Sequence, residues 1–220
     1  MNKILVVGDV HNDFSKLNAL INVKRPELII CCGEFGYWPR HPKADQIEKI
    51  KTHGAKLLWI DGNHEDFWAL RASEPSHHFT NVQYMPRGST YTLPDGRNIL
   101  FMGGARSTDK EFRTIGVDWF PEEEISQADL MHLPDMKIDI FITHTCPEEL
   151  FSELVQHDLH EKDPSRVALS WLKDQYKPSL WIFAHWHMYK EGWLGGINWY
   201  CLSSIESTKR WWMWLPKKED

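Results

Sequence analysis

Short apolar runs alternate with amphipathic stretches from the start of the chain. Lys3–Val7 reads as a buried strand, and Asp13–Asn22 places Phe14, Leu17, Leu20 and Ile21 at helical spacing, with Asn12 as the expected cap. Glu27–Cys32, after Pro26, predicts the second strand. Residues 43–53 predict a helix whose inward pair is Ile47 and Ile50, Lys56–Ile60 the third strand, and a short helix follows Asn63. This strand–helix rhythm argues for a largely parallel sheet covered by helices. The middle changes character: Val82–Met85, Thr90–Leu93 and Asn98–Met102 are short strand-like pieces broken by Pro86, Gly88 and the turn Pro94-Asp95-Gly96, which predicts antiparallel pairing. The rhythm then returns, with a strand at Ile138–Thr143, helices near 147–156 and 165–176, and a strand at Leu180–Ala184. From Gly192 onward the tail is strand-like and carries Trp193, Trp199, Trp211, Trp212 and Trp214. No repeat, low-complexity run or long linker interrupts it, so a single α/β domain over residues 1–220 is expected.

Composition narrows this little. A chain of 220 residues with 42% hydrophobic and 25% charged residues has the make-up of a soluble globular protein, long enough to bury around 70% of its unfolded surface without disulfides. Cys31, Cys32, Cys146 and Cys201 form no C-x-x-C pair, and Cys31 and Cys32 sit in an apolar run; free, buried thiols in a reducing compartment are expected. No signal-peptide pattern follows Lys3, and no run approaches the ~18 apolar residues of a membrane span, so a cytoplasmic, non-membrane protein is expected. A net charge of −6 lacks the basic footprint of nucleic-acid binders.

The chemistry lies where polar residues interrupt the strands. Asp9 and His11 follow the first strand, Glu34 the second, and Asn63 and His64 the third. His144 follows Ile138–Thr143, and His185 and His187 follow Leu180–Ala184. In an open parallel sheet, ligands bind outside the carboxyl ends of the strands. Any one of these residues alone would be ordinary, since Asp or Asn after a strand commonly caps a turn, but coincidence does not produce five such sites. In extended chain, residues i and i+2 point the same way, so Asp9 with His11, and His185 with His187, are each expected to grip a common centre. Mixed imidazole and carboxylate donors suit Mn²⁺, Fe or Zn²⁺ rather than Ca²⁺. Seven candidate ligands (the set without His64) exceed one tetrahedral ion and suit two ions sharing a carboxylate.

Gly8-Asp9-Val10-His11, Gly62-Asn63-His64-Glu65, the lone His144 and Ala184-His185-Trp186-His187 resemble the motifs of the calcineurin-like metallophosphoesterase superfamily, in order and separation, across residues 8 to 187. The resemblance implies a four-layer α/β/β/α sandwich with a mixed, largely parallel main sheet, the Trp-rich tail strands belonging to the second sheet. It implies a hydrolase with two divalent ions, Mn²⁺ first with Fe or Zn²⁺ as alternatives: Asp9, His11 and His187 on one ion, Asn63, His144 and His185 on the other, and Glu34 at the bridging position. Asn63 and His64 would be the catalytic residues, His64 standing beside the phosphate and assisting the leaving group. Glu34 replaces the family's usual Asp, and Ala184 its usual Gly. Tyr37 stands where the Ser/Thr phosphatases of the superfamily carry a second Asp, which disfavours that subclass and leaves Glu65 as the candidate to orient His64. The segments around Gly33-Glu34-Phe35-Gly36-Tyr37-Trp38, Arg87-Gly88 and Gly103–Lys110 resemble a small bacterial and phage-type branch.

The expected reaction is phosphoester hydrolysis, diester or monoester, by a hydroxide that two ions make available near neutral pH. Arg106, Lys110 and Arg113 lie in a Gly-containing segment within reach of the rim, and Arg106 and Arg113 are the candidates for phosphate oxygens. The seven remaining histidines (His41, His53, His77, His78, His132, His157 and His160) are expected at the surface or in packing. The tail tryptophans are expected to pack sheet and core, with an exposed self-association patch or a base-stacking platform as alternatives. The substrate is a small phosphoester or nucleotide; the charge disfavours nucleic acid. The competing function is a metal-binding, catalytically weak recognition module, dulled by Glu34.

Overall fold

A computed structural model describes residues 3–42, 47–72, 81–155 and 162–218. Eleven strands fall into two sheets among these residues. The first has the order β11-β1-β2-β3-β4, and the second β5-β6-β7-β8-β10-β9. In the first sheet β1 (Ile4–Val7), β2 (Leu28–Cys31), β3 (Lys56–Trp59) and β4 (Val82–Tyr84) run parallel, and β11 (Trp212–Trp214) is antiparallel on β1. In the second, β6 (Asn98–Met102), β7 (Ile140–Thr143), β8 (Leu180–Phe183) and β10 (Ile197–Cys201) are parallel. Their edges are the antiparallel β5 (Thr90–Thr92) and β9 (Lys190–Leu194).

Three hydrophobic layers follow from the period-two alternation of strands buried on both faces. Leu5, Val7, Ile29, Leu57 and Trp59 pack outward with Phe14, Leu17 and Ile21 of α1 (Phe14–Lys24) and Phe67 and Leu70 of α2 (Phe67–Ala72). Their neighbours Ile4, Val6, Ile30 and Leu58 point the other way, onto Ile99, Phe101, Ile142 and Ile182 of the second sheet. The far face of that sheet, with Phe141, Trp181 and Trp199, is covered by Leu150 and Leu154 of α3 (Glu148–Leu154) and Leu169 and Leu172 of α4 (Pro164–Tyr176). This is the expected α/β/β/α sandwich. All four cysteines are free and buried, their thiols pushed up by burial. No helix among the described residues is long and apolar enough to cross a membrane.

Several local expectations are corrected. The cap of α1 is Asp13, whose carboxylate accepts from the Lys16 N–H at 3.0 Å; Asn12 is left-handed and donates its side-chain amide to Gly36 O instead. The helix expected over 43–53 is a single 3₁₀ turn at Ile47–Lys49 among the described residues, because His53 and Gly54 turn left-handed to enter β3; residues 43–46 lie outside them. Ile47 and Ile50 do face the first layer. Antiparallel pairing in the middle is confined to β5–β6. β4 instead joins β3 in parallel, and the chain crosses between sheets at Pro86-Arg87-Gly88. The tryptophan tail divides: β9 and β10 extend the second sheet, but β11 closes the edge of the first. It does so because the chain after Cys201 passes the end of β1, with Ile205 N–H donating to Asp9 O and Gly8 N–H to Trp211 O. Trp199 is buried core, Trp212 packs partly on the first layer beneath Lys24, and Trp193 is exposed.

Candidate metal centre

The carboxyl ends of β1, β2, β3, β7 and β8 meet at one rim, and the polar residues that follow them converge there. Two groups form. In one, single donor atoms of Asp9, His11 and His187 lie within 4.8 Å of one another; in the other, those of Glu34, His144 and His185 do. His185 and His187 therefore face different groups, contrary to the expectation that they grip one centre. The cause is backbone conformation: His185 and His187 both have positive φ (70° and 48°), so the alternation of extended chain does not apply between them; His11 is left-handed too (47°) but still shares a group with Asp9. Left-handed backbone at non-glycine residues costs about 1–3 kcal/mol each and gathers at functional sites.

Glu34 joins the groups. Its Oε2 lies 2.7 Å from His11 Nδ1, while its Oε1 lies 3.8 Å from His144 Nε2 and 3.4 Å from His64 Nε2. The room for its extra methylene comes from Gly62: a Cβ there would stand 2.3 Å from Glu34 Cγ, so only glycine fits. Asp9 is fully buried and held by two backbone donors, Glu34 N–H at 2.9 Å and His185 N–H at 3.1 Å. Asn63 Oδ1 faces His144 Nε2 at 2.9 Å.

The electrostatics suit cations. Burial and then the Glu34 charge push the Asp9 carboxyl well above the carboxylate range. Burial works to raise Glu34 too, but the His11 hydrogen bond and the surrounding imidazoles hold it below that range. Burial would lower His11; the Glu34 contact overrides it and raises it to about 9. His144 and His185 are driven down, His185 to about 4, first by burial, so both offer neutral lone pairs at neutral pH, the form a metal ligand needs. His144 Nδ1 is buried with no hydrogen-bond partner, and the Nε2 atoms of His11 and His187 face each other at 2.9 Å. A buried unpaired nitrogen and facing imidazoles beside two carboxylates are what a pair of divalent ions would satisfy. The donor set fits the two ions expected; it does not select among Mn²⁺, Fe and Zn²⁺.

His64 stands at the mouth, outside both groups, its carbonyl held by Trp38 Nε1 and its Nε2 only 2.6 Å from Arg113 Nη2. Glu65 does not orient it. That carboxylate is fully buried and accepts from the backbone N–H of Phe35, Gly36 and Tyr37, clamping the loop after Glu34. Of the two candidate phosphate arginines, Arg113 lies against His64 and Asp109. Arg106 turns toward Lys162 O and Glu124. His41, His53 and His132 are exposed; His77, His78, His157 and His160 lie outside the described residues. Two residues behind the rim have roles that the sequence does not disclose: Ser107, inside the Gly103–Lys110 segment, and Glu123. The only hint was the Gly103-Gly104 pair that opens their segment.

The family model for calcineurin-like phosphoesterases matches residues 2–189. Among solved structures, the fold is similar to TT1561 of Thermus thermophilus (TM-score 0.56, 16% identity, 92% of this chain and 89% of that one). It is equally similar to phosphopantetheinyl hydrolase from Mycobacterium tuberculosis (TM-score 0.56, 12% identity, 97% and 95%). No curated protein matches in sequence.

Proposed function

The chain belongs to the calcineurin-like phosphoesterase family, and we propose that it hydrolyses a small phosphoester or nucleotide with two divalent ions, Mn²⁺ first among the candidates. The observation that carries this reading is Glu34 reaching from one donor group to the other with His64 beside it. Asp9, His11 and His187 would hold one ion, and Asn63, His144 and His185 the other. When bound, the pair supplies an activated water and Lewis-acid stabilisation of charge on the phosphoryl oxygens.

The chain's own groups account for the rest. Neutral His144 and His185 and the two buried carboxylates form a preorganised cradle that need not reorient when charge develops at phosphorus. Arg113 offers a planar fork for phosphate oxygens. In the structure that guanidinium occupies His64 Nε2, so substrate binding exchanges partners: Arg113 moves onto the phosphate, and the freed imidazole hydrogen-bonds or protonates the departing oxygen. Burial first, and then the neighbouring Arg113 charge, hold this imidazole below its ordinary near-neutral value, so the departure of Arg113 onto the phosphate also favours the protonated form that this task needs.

The test compares bis-p-nitrophenyl phosphate with p-nitrophenyl phosphate, using chelator-stripped protein refilled with Mn²⁺. Turnover of either ester that chelator abolishes and Mn²⁺ restores is expected. Diester preference directs the substrate search to nucleotides and other diesters, monoester preference to phosphatase substrates. Turnover of neither, with metal bound, overturns the reading in favour of a catalytically weak recognition module.

A further inference from the structure

Asn63 differs from the other donors at the rim in being ambivalent: its side-chain amide can present either an oxygen or an NH₂ group. Only the oxygen can ligate a cation, so something must decide which way the amide points. The structure places a two-residue relay on its far side. Asn63 Nδ2 donates to Ser107 Oγ at 2.9 Å, and Ser107 Oγ in turn donates to Glu123 Oε2 at 2.7 Å. The Ser107 backbone N–H donates to the other carboxylate oxygen, Oε1, at 2.6 Å. The hydroxyl has a single hydrogen, and Glu123, in its ionised form an acceptor only, takes it. Ser107 Oγ can then only accept from Asn63, so the NH₂ must face it and Oδ1 must face His144 and the second donor group. All three residues are buried, at 3%, 2% and 0% exposure, so water offers no substitute partner.

The relay is anchored at both ends by one guanidinium. Arg87, its side chain 2% exposed, donates to Asp61 Oδ2 through Nε and Nη2, at 2.9 and 2.7 Å. Asp61 stands two residues before Asn63, on the turn that carries it. The same guanidinium donates to the backbone carbonyls of Glu122, Glu123 and Glu124, which fixes the segment carrying the carboxylate. Gly104 lets these parts close up: its φ is +88°, and a Cβ there would lie 2.5 Å from Arg87 Nη2 and 2.6 Å from Glu123 O. Ligand turn and relay are thus built against each other.

We propose that Ser107 and Glu123 are positioning residues that lock the Asn63 amide with its oxygen toward the second donor group, and so set the affinity of the second ion. This rests on the ligand assignment proposed above. Partners of this kind orient ligands, and losing one typically costs roughly 10–100-fold in metal affinity. The first group (Asp9, His11, His187) makes no hydrogen bond to the relay among the described residues, so its ion is unaffected.

The experiment is Mn²⁺ binding to chelator-stripped wild type, Ser107→Ala, Ser107→Thr and Glu123→Gln. Free ion is followed by electron paramagnetic resonance, and folding by thermal melting of the metal-free proteins. Wild type should take two ions. Ser107→Ala and the isosteric Glu123→Gln should keep one near wild-type affinity and bind the other roughly 10–100-fold more weakly, with Ser107→Thr recovering it. If Ser107→Ala fails to fold, Glu123→Gln carries the test alone. Wild-type affinity for both ions in a folded variant overturns the positioning role, as does equal weakening of both ions. Wild type that binds fewer than two ions overturns the ligand assignment itself, and the inference with it.

Discussion

Glu34→Gln should strip the centre of one or both ions and lower phosphoester turnover by more than the roughly 10–100-fold seen when only an outer partner is lost. The substitution keeps the shape and removes the charge. Glu34 reaches both donor groups with separate oxygens, Oε2 at 2.7 Å from His11 and Oε1 at 3.8 Å from His144, while Asp9 approaches His144 at 3.7 Å with the oxygen that also accepts from the Glu34 N–H. Glu34→Asp is the sharper companion. Since Asp is the family's usual residue here, the substitution would restore activity if glutamate were a defect. The geometry predicts the opposite. Cγ of Glu34 fills the space over Gly62, and shortening the side chain withdraws the carboxylate by more than ~1 Å from partners placed for glutamate. Metal analysis and hydrolysis of bis-p-nitrophenyl phosphate check both variants. Glu34→Asp turnover above wild type would refute a centre built around glutamate.

His64→Ala should leave the metal content unchanged and cost roughly 10²–10⁴ in turnover, the range of general acid–base contributions. His64 belongs to neither donor group, and its Nε2 lies at the mouth against Arg113. Metal content and rate therefore separate here, whereas at Glu34 they fall together. Wild-type turnover in His64→Ala would remove the leaving-group role.

The strand ends were legible in the sequence because strands such as Ile4–Val7 and Leu28–Cys31, buried on both faces, read as near-continuous apolar runs. Where such a run stops at Asp, Glu, Asn or His, the break marks the rim. Spacing pairs Asp9 with His11, which do share a donor group, but misplaces His185 and His187, which are both left-handed, so extended-chain alternation fails between them. The fit of Glu34 depends on Gly62, a neighbour across β2 and β3 that no local pattern exposes. Trp212–Trp214 is a three-residue strand that either sheet could accept on composition; its place on β1 follows from the path of the chain past Asp9. Glu123 shows no periodicity or motif, and Ser107 lies in the Gly103–Lys110 segment with no sign of its role, since a relay behind a ligand exists only once β3 and the segment after β6 are brought together.

The central claim, two ions acting together at this rim, is tested most directly by adding Mn²⁺ stepwise to chelator-stripped protein. Bound ion and hydrolysis of bis-p-nitrophenyl and p-nitrophenyl phosphate would be followed in the same samples. The account predicts turnover that rises with the second ion and saturates at two per chain. Full turnover at one ion, or two ions tightly held with neither ester hydrolysed, would contradict it.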